Sequence, residues 1–394
     1  MDWGAGAARR RKVEGDSGEP WVSLNVVQVR DPNAVAKLRE EWRALQAQSP
    51  GLTPFQTWEW NDAYWSFAGA GKRPSILLFY ENGGRGNRPV GLAPLCMSLH
   101  PIPPARRLTW IGTGPSDYLG PIVLPGREED VADAFFTYLQ RSLRGWDVAD
   151  LQDLRPDSPL MNRALRPWPD RPARIQHVLP THGCPYVPLP STWEEYARGL
   201  SKRMRSNIGR AERAAQAAFP DLRLSLASRD TLKEGMNAFF ALHQARWLSL
   251  SRPGIFRSPR VRSFHLDVAR RFLENGWLRL CLLHARGAPR AAEYWFAIGG
   301  RWFSYAAGFD PTLAKYRLGT ILLAWGLRRA ILEGCMEADF LRGEEAYKDQ
   351  WRPKSRMSHR IVLVRPRGGP GRIGELPGMM WWSSAKVVRR VRTR

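Results

Sequence analysis

The chain has 394 residues, 43% of them hydrophobic and 18 of them tryptophan, enough for two domains of ordinary size with packed cores. A formal charge of +23, from 60 Lys and Arg against 37 Asp and Glu, favours an anionic partner: a phosphate-rich cofactor, a nucleic acid or an acidic membrane surface. Four cysteines far apart with no C-x-x-C pair, and seven histidines never at metal-ligand spacing, argue against any structural or catalytic metal and for a reduced, cytoplasmic protein.

Residues 1–20 are small, charged and polar; they read as disordered and carry no secretory signal. No run approaches the roughly 18 consecutive apolar residues that a membrane span requires. A first domain follows over 21–155. Its expected elements are a strand (21–29), a helix (33–48) with Val35, Leu38, Trp42 and Leu45 on one face, and a second helix capped by Thr57. Strands at 75–80 and 90–99 flank a hairpin loop at 82–87; strands at 107–111 and 118–124, a helix at 128–143 and a strand at 148–154 complete it. Nine prolines within 156–190 mark a linker containing the domain boundary.

The second domain, 191–366, repeats that order. Ser191-Thr192-Trp193-Glu194 has capping-box form and opens a long helix to about Ala218, whose positive face over 202–213 is either a solvated face or a docking surface for a polyanion or for cofactor phosphates. A strand (222–227), two helices (231–250 and 259–275) and a meander (277–284, 290–298, 302–308) come next. Two helices, meander, helix and strand occur twice, so an α/β unit is duplicated. The basic tail, 367–394, joins Trp381 and Trp382 to Lys386, Arg389, Arg390, Arg392 and Arg394; an interfacial helix on anionic lipid and a disordered tail are its two readings.

Function concentrates in 309–348. Lys315-Tyr316-Arg317-Leu318-Gly319-Thr320 is a basic, glycine-bearing loop running into an apolar helix that ends before Gly334. A helix N-terminus offers unpaired N–H groups and the positive end of the macrodipole, so the loop is either an anion site or an ordinary connection. Only the second copy of the unit has such a loop, which assigns the cofactor to it.

The element order resembles the GNAT acyltransferase fold. Phe309-Asp310-Pro311, residues 316–319, Asp339-Phe340-Leu341-Arg342-Gly343 and Tyr347-Lys348 resemble the CelD/BcsL-type, BioF2-like acetyltransferases, themselves similar to Fem-type aminoacyltransferases of peptidoglycan synthesis. The resemblance is best over 191–351 and fainter over 22–154, where Pro54-Phe55-Gln56 and Asp117-Tyr118-Leu119-Gly120 carry it. It differs in the loop: Arg317-Leu318 stands where Ser-Pro is more usual. The resemblance implies two tandem GNAT-like units, each a mixed, mainly antiparallel sheet flanked by helices. It further implies acyl-CoA as donor, held by residues 315–320 and Ala307, with no metal. The acceptor would be a small amine or a glycan hydroxyl of exopolysaccharide or cell-envelope synthesis. Aminoacyl-tRNA as donor, and a non-catalytic binding protein, are the alternatives.

Acyl transfer needs a base for the acceptor, a polarised carbonyl and a proton for the leaving thiolate. Candidate bases are Glu293, Asp339, Glu344 and Glu345, and candidate thiolate donors are Tyr305, Tyr316 and Tyr347. Each has a structural alternative: a carboxylate bonded to backbone, a solvated charge pair, a buried tyrosine. Ala306, Ala307 and Gly308 suit close approach of a carbonyl or tight packing. Lysine is scarce in this arginine-heavy chain, so Lys348 stands out as a compact cation for developing charge. By resemblance to the Fem-type acceptor region, that role is carried to Lys348.

Overall fold

The computed structural model describes residues 24–81, 88–101, 104–166, 175–343 and 345–365. The 1–20 stretch, the 82–87 hairpin loop, Glu344 and the 367–394 tail lie outside the described residues. Two compact units divide the chain: one runs to Thr181 and resumes at Ser358, and the other is His182–Met357.

The first unit contains β1 (Asn25–Val29), α1 (Pro32–Ala36), α2 (Arg39–Ala47), α3 (Trp58–Ala68), β2 (Arg73–Pro74), β3 (Ile76–Tyr80) and β4 (Pro89–Ala93). It continues through β5 (Leu95–Pro101), β6 (Pro104–Trp110), β7 (Ile122–Val123), α4 (Glu128–Arg141), β8 (Val148–Leu154) and α5 (Pro159–Leu165), and β9 (Ile175–Pro188) leads out of it. Strands β1-β3-β4-β7 form one sheet; β2, β5, β6 and β8 pair in a second. The strand expected over 90–99 is therefore two. Pro94 has no N–H to give a ladder, and the chain changes sheets there. The strand expected over 118–124 shrinks to β7, because Gly120, at φ 151, and Pro121 interrupt it. The proline-rich 156–190 is not a bare linker. Pro159 sits at the start of α5, where a missing N–H is harmless, and β9 runs through the later part of the segment from Ile175 to Pro188.

The second unit contains α6 (Trp193–Gly199), α7 (Lys202–Ala218), β10 (Arg223–Leu226), α8 (Leu232–Ser249), α9 (Pro259–Glu274), β11 (Leu278–Ala285) and β12 (Ala288–Ile298). Then come β13 (Arg301–Phe309), α10 (Leu318–Leu332), β14 (Glu337–Asp339) and α11 (Ala346–Asp349), with β15 (Lys354–Val364) returning to the first unit. Its strands lie in the order β10-β11-β12-β13-β14-β9, and β13–β14 is the parallel pair. The last strand is thus not part of the second domain beyond Met357. From Ser358 onward it pairs antiparallel with β8, burying Ile361, Val362 and Leu363, while Arg360 holds Asp150 through two hydrogen bonds of 2.6 and 2.9 Å.

Alternation along β12 sorts the core of the second unit into two layers. Trp295 joins Met204, Ile208, Leu322 and Leu327 from α7 and α10. Tyr294 and Phe296 instead meet Phe239, His265 and Phe272 from α8 and α9. Both units share one device, a strand, a helix and a parallel strand: β6-α4-β8 and β13-α10-β14. Parallel neighbours need such a crossover, and it is the part of the repeat most evident in space.

The helix expected over 191–218 is two helices. Leu200 is extended, Ser201 Oγ accepts the Met204 N–H at 3.1 Å, and Arg205 Nη1 donates to the Leu200 carbonyl at 2.6 Å, so one helix is closed and the next opened within two residues. The break gives α7 an N-terminus of its own.

His243 and His265 are buried among these aromatic rings, and burial pushes both down to about 3 from an ordinary 6.5. The unfolded chain binds protons below pH 6.5 that these side chains refuse, so their contribution to stability is complete above that pH and is lost as pH falls toward 3. By pH 5 the loss reaches at most about 2 kcal/mol per histidine. Urea melts at pH 7 and pH 5 measure it; equal midpoints for wild type and a His243→Asn variant at both values would contradict the assignment.

Candidate active site

The expected basic loop is a 3-10 turn, Pro311–Tyr316, closed by Asp310, whose carboxylate accepts the Thr312 N–H at 3.0 Å. Arg317 then adopts the left-handed conformation, φ 54, and α10 begins at Leu318 rather than near Thr320. The carbonyl of Arg317 receives the Thr320 and Ile321 N–H groups, so Leu318 and Gly319 precede the intrahelical ladder. Gly319 lies inside the first turn with no positive φ; a Cβ there would meet only Phe309, at an ordinary 3.7 Å. Leu318 is core, and Tyr316 packs edge-on against Phe219 with Lys315 over its ring at 5.0 Å. Of the predicted loop residues, Arg317 lines a cavity at the start of α10.

That cavity, about 400 Å³, is lined by Ser201, Arg203, Met204, Asn207, Arg317 and Gln350. The first turns of α7 and α10 both meet it, and Arg203 and Arg317 are exposed guanidinium groups on its wall. Two positive helix ends and two arginines make it suitable for a phosphate-bearing group.

β13 and β14 pair only through Arg301↔Glu337, Trp302↔Ala338 and Phe303↔Asp339. Beyond that point the two chains part. β13 continues to Phe309 alongside β12, while Phe340 follows β9 and donates its N–H to the Pro185 carbonyl at 2.8 Å. A bulge opposite Tyr294–Trp295 disturbs β13 where the split begins, and residues 304–307 there are partly open. Arg246 of α8 lies across the gap. Its Nη1 donates to the Ala307 carbonyl at 3.4 Å, and its guanidinium stands over the rings of Phe309 (5.4 Å) and Tyr347 (5.7 Å). Gly308 answers to packing: a Cβ would lie 2.6 Å from the His243 Cα, so only glycine lets α8 cross here.

Asp339 is fully buried; its Oδ1 accepts the Leu341 N–H at 2.7 Å and its Oδ2 lies 3.7 Å from Arg356. Leu341 needs that hold, since it is a non-glycine residue at φ 54. Lys348 is buried too. Its Nζ donates to the carbonyls of Phe340 (3.0 Å), Gly343 (3.1 Å) and Arg342 (3.4 Å) and pairs with Glu345 at 2.8 Å. Together these two residues pin the loop leaving β14. Tyr347 stays a third exposed at the split, and its phenol is pushed up by desolvation first and by the Glu345 charge next. Tyr305 belongs to the aromatic layer, with its hydroxyl 3.4 Å from His265.

Glu293 sits on β12 directly opposite Ala307. Its Oε2 accepts the Trp295 indole N–H at 2.8 Å and faces Gly326 of α10, where a Cβ would stand 3.6 Å away. Burial raises its carboxyl from 4.5 to about 8; the Trp295 hydrogen bond and the Arg246 charge oppose the rise. A buried acid poised near neutrality, electrostatically coupled to Arg246 and Tyr347, is what proton transfer requires. Sequence reasoning missed Arg246 and Gln350 as partners of the site, and placed Asn207 only within the basic face offered to a polyanion or to cofactor phosphates. The basic face over 202–213 pointed to this helix, and the break at Leu200-Ser201, with Ser201 as an N-cap after Gly199, is the signal that could have placed its end at the cavity. Among the described residues no group of three or more His, Cys, Asp or Glu could hold a metal ion.

Residues 202–349 match the family model described as Acetyltransferase (GNAT) domain. No match is found among curated proteins. Among solved structures, the crystal structure of FemX superposes with a TM-score of 0.58 at 11% identity, covering 83% of this chain and 96% of that one. A C-terminal domain of a putative lysylphosphatidylglycerol synthetase from Agrobacterium fabrum does so with 0.50 at 10% identity, covering 84% and 93%. At such identities the likeness concerns the fold alone, which is mixed α/β with sheets flanked by helices, and the GNAT-domain match lies within the second unit.

Proposed function

We propose that the second unit is an acyltransferase that moves an acyl group from acyl-CoA to an amine or sugar hydroxyl. The opening between β13 and β14, with the arginine-lined cavity at the start of α10, carries this reading. The diphosphate of the donor lies at the N-termini of α7 and α10, near Arg203 and Arg317. Its thioester enters the split beside residues 304–307, where Arg246 steadies the developing oxyanion. Glu293 takes the proton of the acceptor, and Tyr347 returns one to the departing thiolate. Asp339 and Lys348 hold the loop on the far side of the split. The four cysteines, all buried and present as thiols rather than disulfides, support a cytoplasmic setting, where CoA thioesters are made. By resemblance, the acceptor belongs to exopolysaccharide or cell-envelope synthesis.

A second reading has one observation in its favour: the basic face of α7 ends at the same cavity, a surface on which an aminoacyl-tRNA donor fits. Calorimetry with acetyl-CoA and charged tRNA separates the two. Arg317→Gly keeps the left-handed backbone while removing the guanidinium, and Arg203→Ala changes an exposed helical position. Each variant weakens acyl-CoA binding about 10- to 100-fold with an unchanged melting temperature. Undiminished affinity in both variants defeats the placement. A steep loss of affinity with salt for tRNA, and none for acyl-CoA at all, favours the second donor.

A further inference from the structure

The connection from α8 to α9 has an unusual composition. From Gly235 to Leu266 there is no acidic residue, while Arg246, Arg252, Arg257, Arg260 and Arg262 are all present. Three large apolar side chains stand out into solvent within eight residues: Leu248 is 61% exposed, Leu250 56% and Ile255 52%. Arg252, Arg257, Arg260 and Arg262 are exposed around them.

This is not a loose loop. Phe256, buried at 1% exposure, packs against Phe239 and Phe240 (both 5.1 Å), His243 (4.7 Å) and His265 (5.0 Å). Its neighbours Ile255 and Arg257 are therefore held outward on a fixed backbone. Beside them a groove of about 930 Å³ runs between α8 and α9, with Phe240, Ala241, Ala245, Leu248 and Leu266 on its walls and Arg257 and Arg262 among the residues lining it. Apolar tips set among arginines, on a stretch with no carboxylate between Gly235 and Leu266, complement one kind of surface: an apolar interior under negatively charged headgroups.

We propose that the α8–α9 turn docks the protein on an anionic lipid bilayer. Leu248, Leu250 and Ile255 enter the headgroup boundary, and the four exposed arginines pair with lipid phosphates. Among the described residues no helix is long and apolar enough to cross a membrane, so the contact is a surface one. It stands apart from the transfer reading, since the patch is defined by exposure and charge alone. The two meet in one respect: Arg246, lying across the β13–β14 split, is two residues from Leu248 on the same helix.

Co-sedimentation of the full chain with vesicles tests this. Binding is expected to phosphatidylcholine vesicles containing phosphatidylglycerol and not to phosphatidylcholine alone, with release by salt. A Leu248→Ser/Leu250→Ser/Ile255→Ser variant binds about tenfold more weakly or less, and affinity falls about fivefold for each of Arg252 and Arg257 changed to Gln. Both sets alter exposed positions, so unchanged melting temperatures accompany these losses. Wild-type binding that survives both sets of changes assigns the contact to the basic tail and overturns the proposal. Failure of the wild type to bind charged vesicles overturns it equally.

Discussion

A Glu293→Gln enzyme is expected to turn over about 10²- to 10⁴-fold more slowly than wild type, the range over which a positioned base contributes. Glutamine keeps an oxygen for the Trp295 indole, so the fold survives the change. The pH dependence carries the finer test. With the carboxyl raised to about 8, wild-type kcat/KM climbs as pH rises through 8 and then levels; the variant lacks that limb. Stability moves the opposite way. Between 4.5 and 8 the folded protein keeps a proton that the unfolded chain has released, so the Glu293 contribution to stability falls as pH rises through that window. Above pH 8 the glutamine variant is more stable, by up to about 5 kcal/mol. Slow turnover together with a flat profile and raised stability at alkaline pH identifies the base. Full turnover would leave Glu293 a buried structural acid.

Lys348→Met should unfold before it uncouples. Methionine matches the length of lysine but leaves the carbonyls of Phe340, Arg342 and Gly343 without their donor, in a loop already held at a left-handed Leu341. The expected loss is about 3 to 5 kcal/mol, visible as a lower urea midpoint, with activity falling in proportion to the folded fraction. Should the variant stay as stable as wild type and still fail to transfer, its ammonium acts on substrate charge.

Much of this architecture was legible as pattern. Alternating and helical periodicities located the meander, and Pro259 and Gly334 marked helix ends within a residue or two. What pattern could not show was partnership. Lys348 drew notice as a rare lysine and Asp339 as a candidate base, yet their chemistry is set by carbonyls and N–H groups that no side-chain alphabet records. Gly319 was conspicuous, whereas Gly308, three residues after Tyr305 in the same strand, is the glycine whose missing side chain the fold requires. Arg246 was one arginine among many until α8 crossed β13 and carried it to the split. The break at Ser201 was hidden because Met204, Ile208, Ala211 and Ala215 continue a convincing stripe.

The closing strand has a consequence for biosynthesis. Residues 358–364 are translated after the whole of His182–Met357, yet they supply Ile361, Val362, Leu363 and the second of two guanidinium groups, beside that of Arg107, that hold fully buried Asp150 in the first unit. The half that leaves the ribosome first therefore waits, with one edge of β8 unpaired and Asp150 held by Arg107 and Gln152 without its second guanidinium, while the interposed half emerges. Order of synthesis and order of completion are reversed, and a nascent chain stalled before Ser358 exposes the face of β8 edge that a chaperone would hold.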